Sequence, residues 1–179
     1  MNKILFFLNV IAFFFLYNCC ISHEKQIDKV KLEWAGKKII IPSNIRFKSL
    51  NKDTLCSYLW EKQYKIFIYV DSTGCASCKM GMFEWKGKIQ LCKQQNMDIG
   101  FIFVVHPSNF HSFEADILMS YFDYPIIYDY NNDFEKLNHF PPAPYRTFLL
   151  DKENRVQVIG SPINNPEIWE QYKSIILKQ

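Results

Sequence analysis

Residues 65–80 constrain this chain more than any other stretch. An apolar run (Ile66, Phe67, Ile68, Tyr69, Val70) is followed by a short polar turn (Asp71 to Gly74), and then by Cys75 and Cys78 at the head of a long amphipathic segment. The pattern predicts strand, turn, dithiol and helix in that order. A cysteine in the first turn of a helix meets unpaired backbone N–H groups and the positive end of the helix dipole, which stabilise its thiolate. Cys75 has that position and is the expected nucleophile. Cys78, one turn on, is placed to attack a mixed disulfide at Cys75 and release a reduced partner. A Cys-x-x-Cys is also half of a zinc ribbon, but the second pair that a ribbon needs is missing from the sequence.

The residues after the dithiol supply the packing. Cys78, Met82, Trp85, Ile89 and Cys92 recur at helical spacing and predict one apolar stripe, which would shield Cys78 and bury Cys92 in the core. Gly81 and Gly87 each weaken that helix by about 1 kcal/mol relative to alanine, so a bend is expected there. Cys56, among Leu55, Leu59 and Trp60 in a helical pattern over residues 53–62, reads as a small buried hydrophobe. Residues 99–105 form a second continuous apolar run, the signature of a strand covered on both faces. Phe110, Phe113, Ile117 and Tyr121 mark another helix, residues 125–129 a short strand, and residues 146–151 and 155–160 a closing hairpin. Asn165 and Pro166 cap the last helix. Upstream, residues 34–42 and 45–48 predict an N-terminal hairpin or edge strands. Strands alternating with helices give an α/β class, with a central mixed sheet flanked by helices.

With 179 residues, 49% of them hydrophobic, the chain holds one well-packed domain. Its formal charge of +3 comes from 21 basic and 18 acidic side chains scattered along the sequence, so no basic stripe points to nucleic acid. Lys3 followed by an apolar run over residues 4–16 has the charged start and short core of a secretory signal. The run ends in Leu16, Tyr17, Asn18, Cys19 and Cys20, which resembles the lipobox of bacterial lipoproteins, with Cys19 as the favoured acceptor and Cys20 as the alternative. The expected organisation is a lipoprotein signal peptide over 1–19, a tether over 20–33 and a folded domain over 34–179. The domain then sits in the cell envelope, outside the cytoplasm, where thiols are not held reduced.

At Cys75, Cys78, Lys79 and Met80 the chain resembles the thioredoxin family, and its wider pattern is similar to the membrane-tethered TlpA/ResA-like thiol-disulfide oxidoreductases. That resemblance implies a thioredoxin-like fold with an N-terminal β extension. It implies protein disulfides or dithiols as partners, attachment to the membrane through the N-terminal lipid, and neither a cofactor nor a metal. It also implies a cis-proline beside the dithiol. Counting back from Asp151, that residue falls on Tyr145, whereas the chain has Pro144 one position earlier, so both stand as candidate substrate-binding residues. The family's buried carboxylate, six residues before the first cysteine, is here Tyr69. Asp71 is two residues on, with strand alternation putting it on the same side, and has two readings: a replacement proton acceptor, or a turn aspartate bonded to the backbone at residues 72–73. Gly74 stands where the family has an aromatic and leaves Cys75 open to a substrate, and Ala76 and Ser77 replace Gly-Pro. His106, alone at a strand end, reads as a hydrogen-bonded, partly buried histidine, and the calcium-loop spacing after Asp129 lacks its glycine and closing glutamate. Two functions follow from different classes: a thiol-disulfide oxidoreductase, or a binding module whose Cys75–Cys78 bridge only stiffens a helix start.

Overall fold

β-branched and aromatic residues make up the central strands, and the sheet they form positions the site. The computed structural model describes residues 27–178. The predicted signal segment and the predicted lipid acceptor Cys19 lie outside the described residues. The chain divides into two units, Met1–Trp34 and Ala35–Gln179. Of the first, residues 27–34 are described and form helix α1, within the stretch whose sequence reads as a tether.

The second unit is built on seven strands: β1 (Phe47–Ser49), β2 (Lys52–Thr54), β3 (Tyr64–Val70), β4 (Ile99–Val105), β5 (Ile126–Tyr128), β6 (Thr147–Leu150) and β7 (Val156–Ile159). Their order across the sheet is β2-β1-β5-β4-β3-β6-β7. β3, β4 and β5 run parallel, with Phe67 opposite Ile102 and Val104 opposite Ile127. β6 lies antiparallel to β3, Phe67 facing Phe148, and β7 and the β1–β2 hairpin are antiparallel to their neighbours. The predicted N-terminal strands are therefore present but displaced toward the C-terminus. Residues 39–41 remain outside any strand, and Lys52–Thr54 is a strand where the sequence predicts a helix start. Only Ser57–Glu61 is helical there, as a 3-10 turn, and it lacks the length that an α-helix needs to offset its nucleation cost.

Five helices follow β3 in this unit: α2 (Ala76–Met80), α3 (Met82–Gln94), α4 (Phe110–Met119), α5 (Asp133–Asn138) and α6 (Pro166–Ile176). Alternation in β3 sends Ile66, Ile68 and Val70 to one face, where Met80, Trp85, Ile89, Phe103, Phe113 and Ile117 close over them. Phe67 and Tyr69 point to the other face and stack with Phe134, Phe140 and Phe148. The fully buried exception is Lys65, whose Nζ donates to the carbonyls of Trp60, Lys62 and Lys152, so its charge is hydrogen-bonded rather than stranded. Asn109 and Asn165 cap α4 and α6 by accepting the N–H groups of Ser112 and Ile168. Cys56 and Cys92 are both free and buried, as their apolar neighbours predict. Among the described residues no helix is long and apolar enough to cross a membrane.

Two glycines test this packing in opposite directions. A Cβ on Gly100 would sit 2.8 Å from the Leu59 carbonyl oxygen, whereas one on Gly87, exposed on α3, would meet nothing within 4 Å. Gly100→Ala is expected to cost about 1–3 kcal/mol, and Gly87→Ala to add roughly 0.5–1 kcal/mol. Urea unfolding midpoints of the two variants check both signs.

Candidate active site

The site is assembled where the parallel strands end. β3 runs out at Val70, and His106, just past β4, donates its backbone N–H to the Val70 carbonyl at 2.8 Å, which holds the two strand ends level. Asp71 follows and folds the chain back on itself. Its Oδ1 accepts from the Thr73 backbone N–H at 3.2 Å and from the Thr73 hydroxyl at 2.7 Å. Gly74 then takes a left-handed conformation (φ 72°) in which an L side chain is strained, so a backbone requirement explains the absence of the family's aromatic. Cys75 is the N-cap of α2, and its Sγ accepts the Cys78 backbone N–H at 3.2 Å.

Cys75 and Cys78 form a disulfide, with Cα atoms 5.3 Å apart. Both residues are exposed, which corrects the expectation that Cys78 is shielded. The predicted stripe holds for Met82, Trp85, Ile89 and Cys92, all buried, but fails at Cys78. The reason is Gly81. It is left-handed (φ 61°, ψ 52°), ends α2 and starts α3, so the two helices do not share one apolar face. The bend that the two glycines predict is thus a complete break at one of them.

Asp71 is the electrostatic centre of the site. Oδ1 also accepts from Lys79 Nζ at 2.8 Å, and Oδ2 is paired with Arg146, whose Nε donates to the Pro141 carbonyl and whose guanidinium lies over the Tyr69 ring. Burial alone would raise the Asp71 pKa, but the Lys79 and Thr73 hydrogen bonds and the Arg146 charge outweigh it and hold the carboxyl at about 2. The turn reading of Asp71 therefore describes its contacts, and a carboxylate so held is a poor proton acceptor at neutral pH. Tyr69, at the family's carboxylate position, donates its hydroxyl to Asn132 Oδ1 at 2.6 Å, and burial pushes its pKa up. It does not replace the missing base.

Two depressions border α2. One, of about 280 Å³, is lined by Asp71, Lys79, Trp85, Pro144 and Arg146. The Ala143–Pro144 peptide there is cis, while the Tyr145 N–H turns back to the Pro142 carbonyl at 3.0 Å. The other, of about 200 Å³, exposes Gly74, Cys75, Ser77, Pro107, Asn109 and Asp116. His106 turns Nδ1 to the Asp129 carbonyl at 2.7 Å, and the Asp129 carboxylate caps α5 through the N–H groups of Asp133 and Phe134. Among the described residues no three His, Cys, Asp or Glu side chains are grouped to hold a metal. Arg146 and Asp116 had no signal in the sequence, because their partners Asp71 and Ser77 lie 75 and 39 residues away.

No protein-family profile matches the chain, and no curated protein matches it in sequence. Solved structures do match its fold. The thioredoxin domain of a thiol-disulfide oxidoreductase from Bacteroides vulgatus superposes with a TM-score of 0.58 at 11% identity, over 79% of this chain and 97% of that one. StoA from Bacillus subtilis gives 0.52 at 18%, over 72% and 96% of the two chains. The fold is thioredoxin-like. A thiol:disulfide interchange protein from a Bacteroides species shares this thioredoxin-like fold, with a TM-score of 0.56 at 10% identity over 79% of this chain and 91% of that one.

The electrostatics of Asp71 set a pH test. Its pKa is depressed on folding, so it contributes stability above its ordinary value of 3.8, and that contribution is lost as pH falls toward about 2. The stability gap between wild type and Asp71→Asn is expected to be constant near neutrality and to close across that window, as read by denaturant unfolding at each pH. A second test concerns the thiols. Burial pushes the Cys92 thiol up to about 11, so alkylation of the reduced, folded protein should label Cys75 and Cys78, and reach Cys56 and Cys92 only after unfolding; peptide mass mapping reads the order.

Proposed function

We propose that this chain is an extracytoplasmic thiol-disulfide oxidoreductase, tethered through lipid on Cys19, that exchanges disulfides with protein partners. The observation that carries the reading is the exposed Cys75–Cys78 disulfide at the start of α2 in a thioredoxin-like fold, with Cys75 Sγ facing the Cys78 N–H. The solved proteins of similar fold are themselves described as thiol-disulfide oxidoreductases or interchange proteins, which supports it. The charged start, short apolar run and lipobox-like end of residues 1–19 support the location.

In the exchange, the Cys75 thiolate attacks one sulfur of a partner disulfide. That S–S bond breaks, and the departing partner sulfur leaves as a thiolate and takes up a proton. The Cys78 thiolate then attacks Cys75 Sγ, the mixed disulfide breaks, and the second partner sulfur leaves in the same way. Two electrons have passed to the partner and the Cys75–Cys78 bond has formed; an external dithiol returns it to the reduced state. The backbone N–H that faces Cys75 Sγ stabilises the attacking thiolate, which is the basis for assigning Cys75 the first step. We assign the partner's extended segment to the surface from Gly74 to Pro144, with Tyr145 beside it. Asp71 acts here as a positioning residue, holding Lys79 on α2 and Arg146 before β6 in one ion-pair cluster.

The test is insulin reduction by the domain from Glu24 onward, with Cys75→Ser and Cys78→Ser as controls. Both variants should lose turnover by at least about 10²-fold, and Cys78→Ser should accumulate more covalent partners on non-reducing gels than Cys75→Ser, because the backbone N–H at residue 78 favours the Cys75 thiolate. Equal activity in all three proteins would leave the Cys75–Cys78 bridge as the structural staple of a binding module.

A further inference from the structure

The group that faces the dithiol from a separate element has no part in the mechanism above. Ser77 lies between the two cysteines, with its Oγ 3.3 Å from Cys75 Sγ, and donates its hydroxyl to Asp116 Oδ2 on α4 at 2.6 Å. The proton of Ser77 is committed to the carboxylate, so what Ser77 presents to Cys75 is oxygen lone pairs. A thiol at Cys75 donates S–H into them. A thiolate meets lone pairs backed by a negative charge, and a like charge disfavours ionisation.

The remaining charges around Cys75 are turned elsewhere. Lys79, on its own helix, points its Nζ to Asp71 and Thr73. From the segment between β4 and α4, His106 faces the Asp129 carbonyl, and Pro107, Ser108 and Asn109, with Ser112 from α4, line the groove uncharged. Glu114, on α4, is paired with Lys48. Asp116 is the ionisable side chain that shares the groove with Cys75.

We propose that Asp116, acting through the Ser77 hydroxyl, opposes ionisation of Cys75 and thereby biases the dithiol toward giving up its electrons. This inference rests on the oxidoreductase reading and adds its direction. Stabilising a reactive thiolate favours the reduced form and makes an oxidant; withholding that stabilisation favours the disulfide and makes a reductant. Asp116 is thus a positioning residue, and it works against the Cys78 N–H that favours the thiolate. The dithiol would hand two electrons to a partner disulfide and take them back from an external dithiol.

The experiment follows the rate of Cys75 alkylation against pH, and the equilibrium with glutathione above the wild-type midpoint. Asp116→Asn should move the alkylation midpoint to lower pH by about one unit, with a matching tenfold gain of the reduced form, about 30 mV upward in potential. Ser77→Ala opens the relay from the α2 side without touching α4, should shift the midpoint the same way by less, and stands in if Asp116→Asn does not fold. In the Ser77→Ala background Asp116→Asn should add less than it does alone. Glu114→Gln removes a charge from the same helix and should leave the profile in place. An unmoved or higher midpoint in Asp116→Asn overturns the proposal, as does an equal shift from Glu114→Gln or full additivity of the two relay substitutions. A wild-type protein that does not exchange with glutathione at all would instead remove the oxidoreductase reading; one that exchanges, with an unmoved Asp116→Asn, removes only the bias.

Discussion

The antiparallel register between β3 and β6 is the constraint on which the rest of the site depends. Ile68 pairs with Thr147, and the Tyr69 N–H continues the ladder to the Arg146 carbonyl at 3.0 Å. Where one strand ends, the other therefore begins, and Asp71 meets Arg146 across a gap of 75 residues in sequence. The same register brings Pro144 to the cavity that Asp71 lines. A slip of one residue would exchange the two faces of β6 and turn Phe148 away from the aromatic cluster around Phe67. The apolar packing on both sides of β3 thus specifies where a charged pair and a proline line one depression, although none of those residues is itself in the core.

The long-period features of this architecture were legible in the sequence, because they depend on hydrophobic pattern. The run over 99–105 is β4 end to end, residues 64–70 are β3, and Asn165 with Pro166 opens α6. Reading failed where one backbone angle or one distant partner decides. A single left-handed glycine re-phases the dithiol helix and leaves Cys78 in solvent, while the hydrophobic spacing alone had carried the stripe straight through it. The β1–β2 hairpin lies further along the chain than its β-branched runs suggest, because β1 pairs through Phe47 with Ile127 of β5, a tertiary contact that local propensity does not contain. The sequence placed Asp71 beside the dithiol; whether it serves as a base depended on Lys79 and Arg146, and spacing says nothing of either.

Charge at this site is organised by pairing rather than by burial. Asp71 is anchored by two cations and a hydroxyl, Asp129 by two backbone N–H groups, and Asp116 by one hydroxyl that also touches sulfur. Of these three carboxylates only Asp116 is linked by a hydrogen bond to a side chain in contact with Cys75. The two carboxylates thus differ in their partners: Asp71 fixes the loop, and Asp116 holds the Ser77 hydroxyl that touches Cys75 Sγ.

Under the proposed function, the two free cysteines among the described residues, Cys56 and Cys92, carry a consequence. A mixed disulfide on Cys75 is open to attack by every thiolate that reaches it, including thiolates of the same chain. Cys92 is 1% exposed, and with its pKa near 11 it is ionised to only about one part in 10⁴ at neutral pH. Cys56, the N-cap residue of the 3-10 turn, is buried as well, at 6% exposure. Burial thus keeps both thiols from reaching an exposed mixed disulfide while the chain is folded.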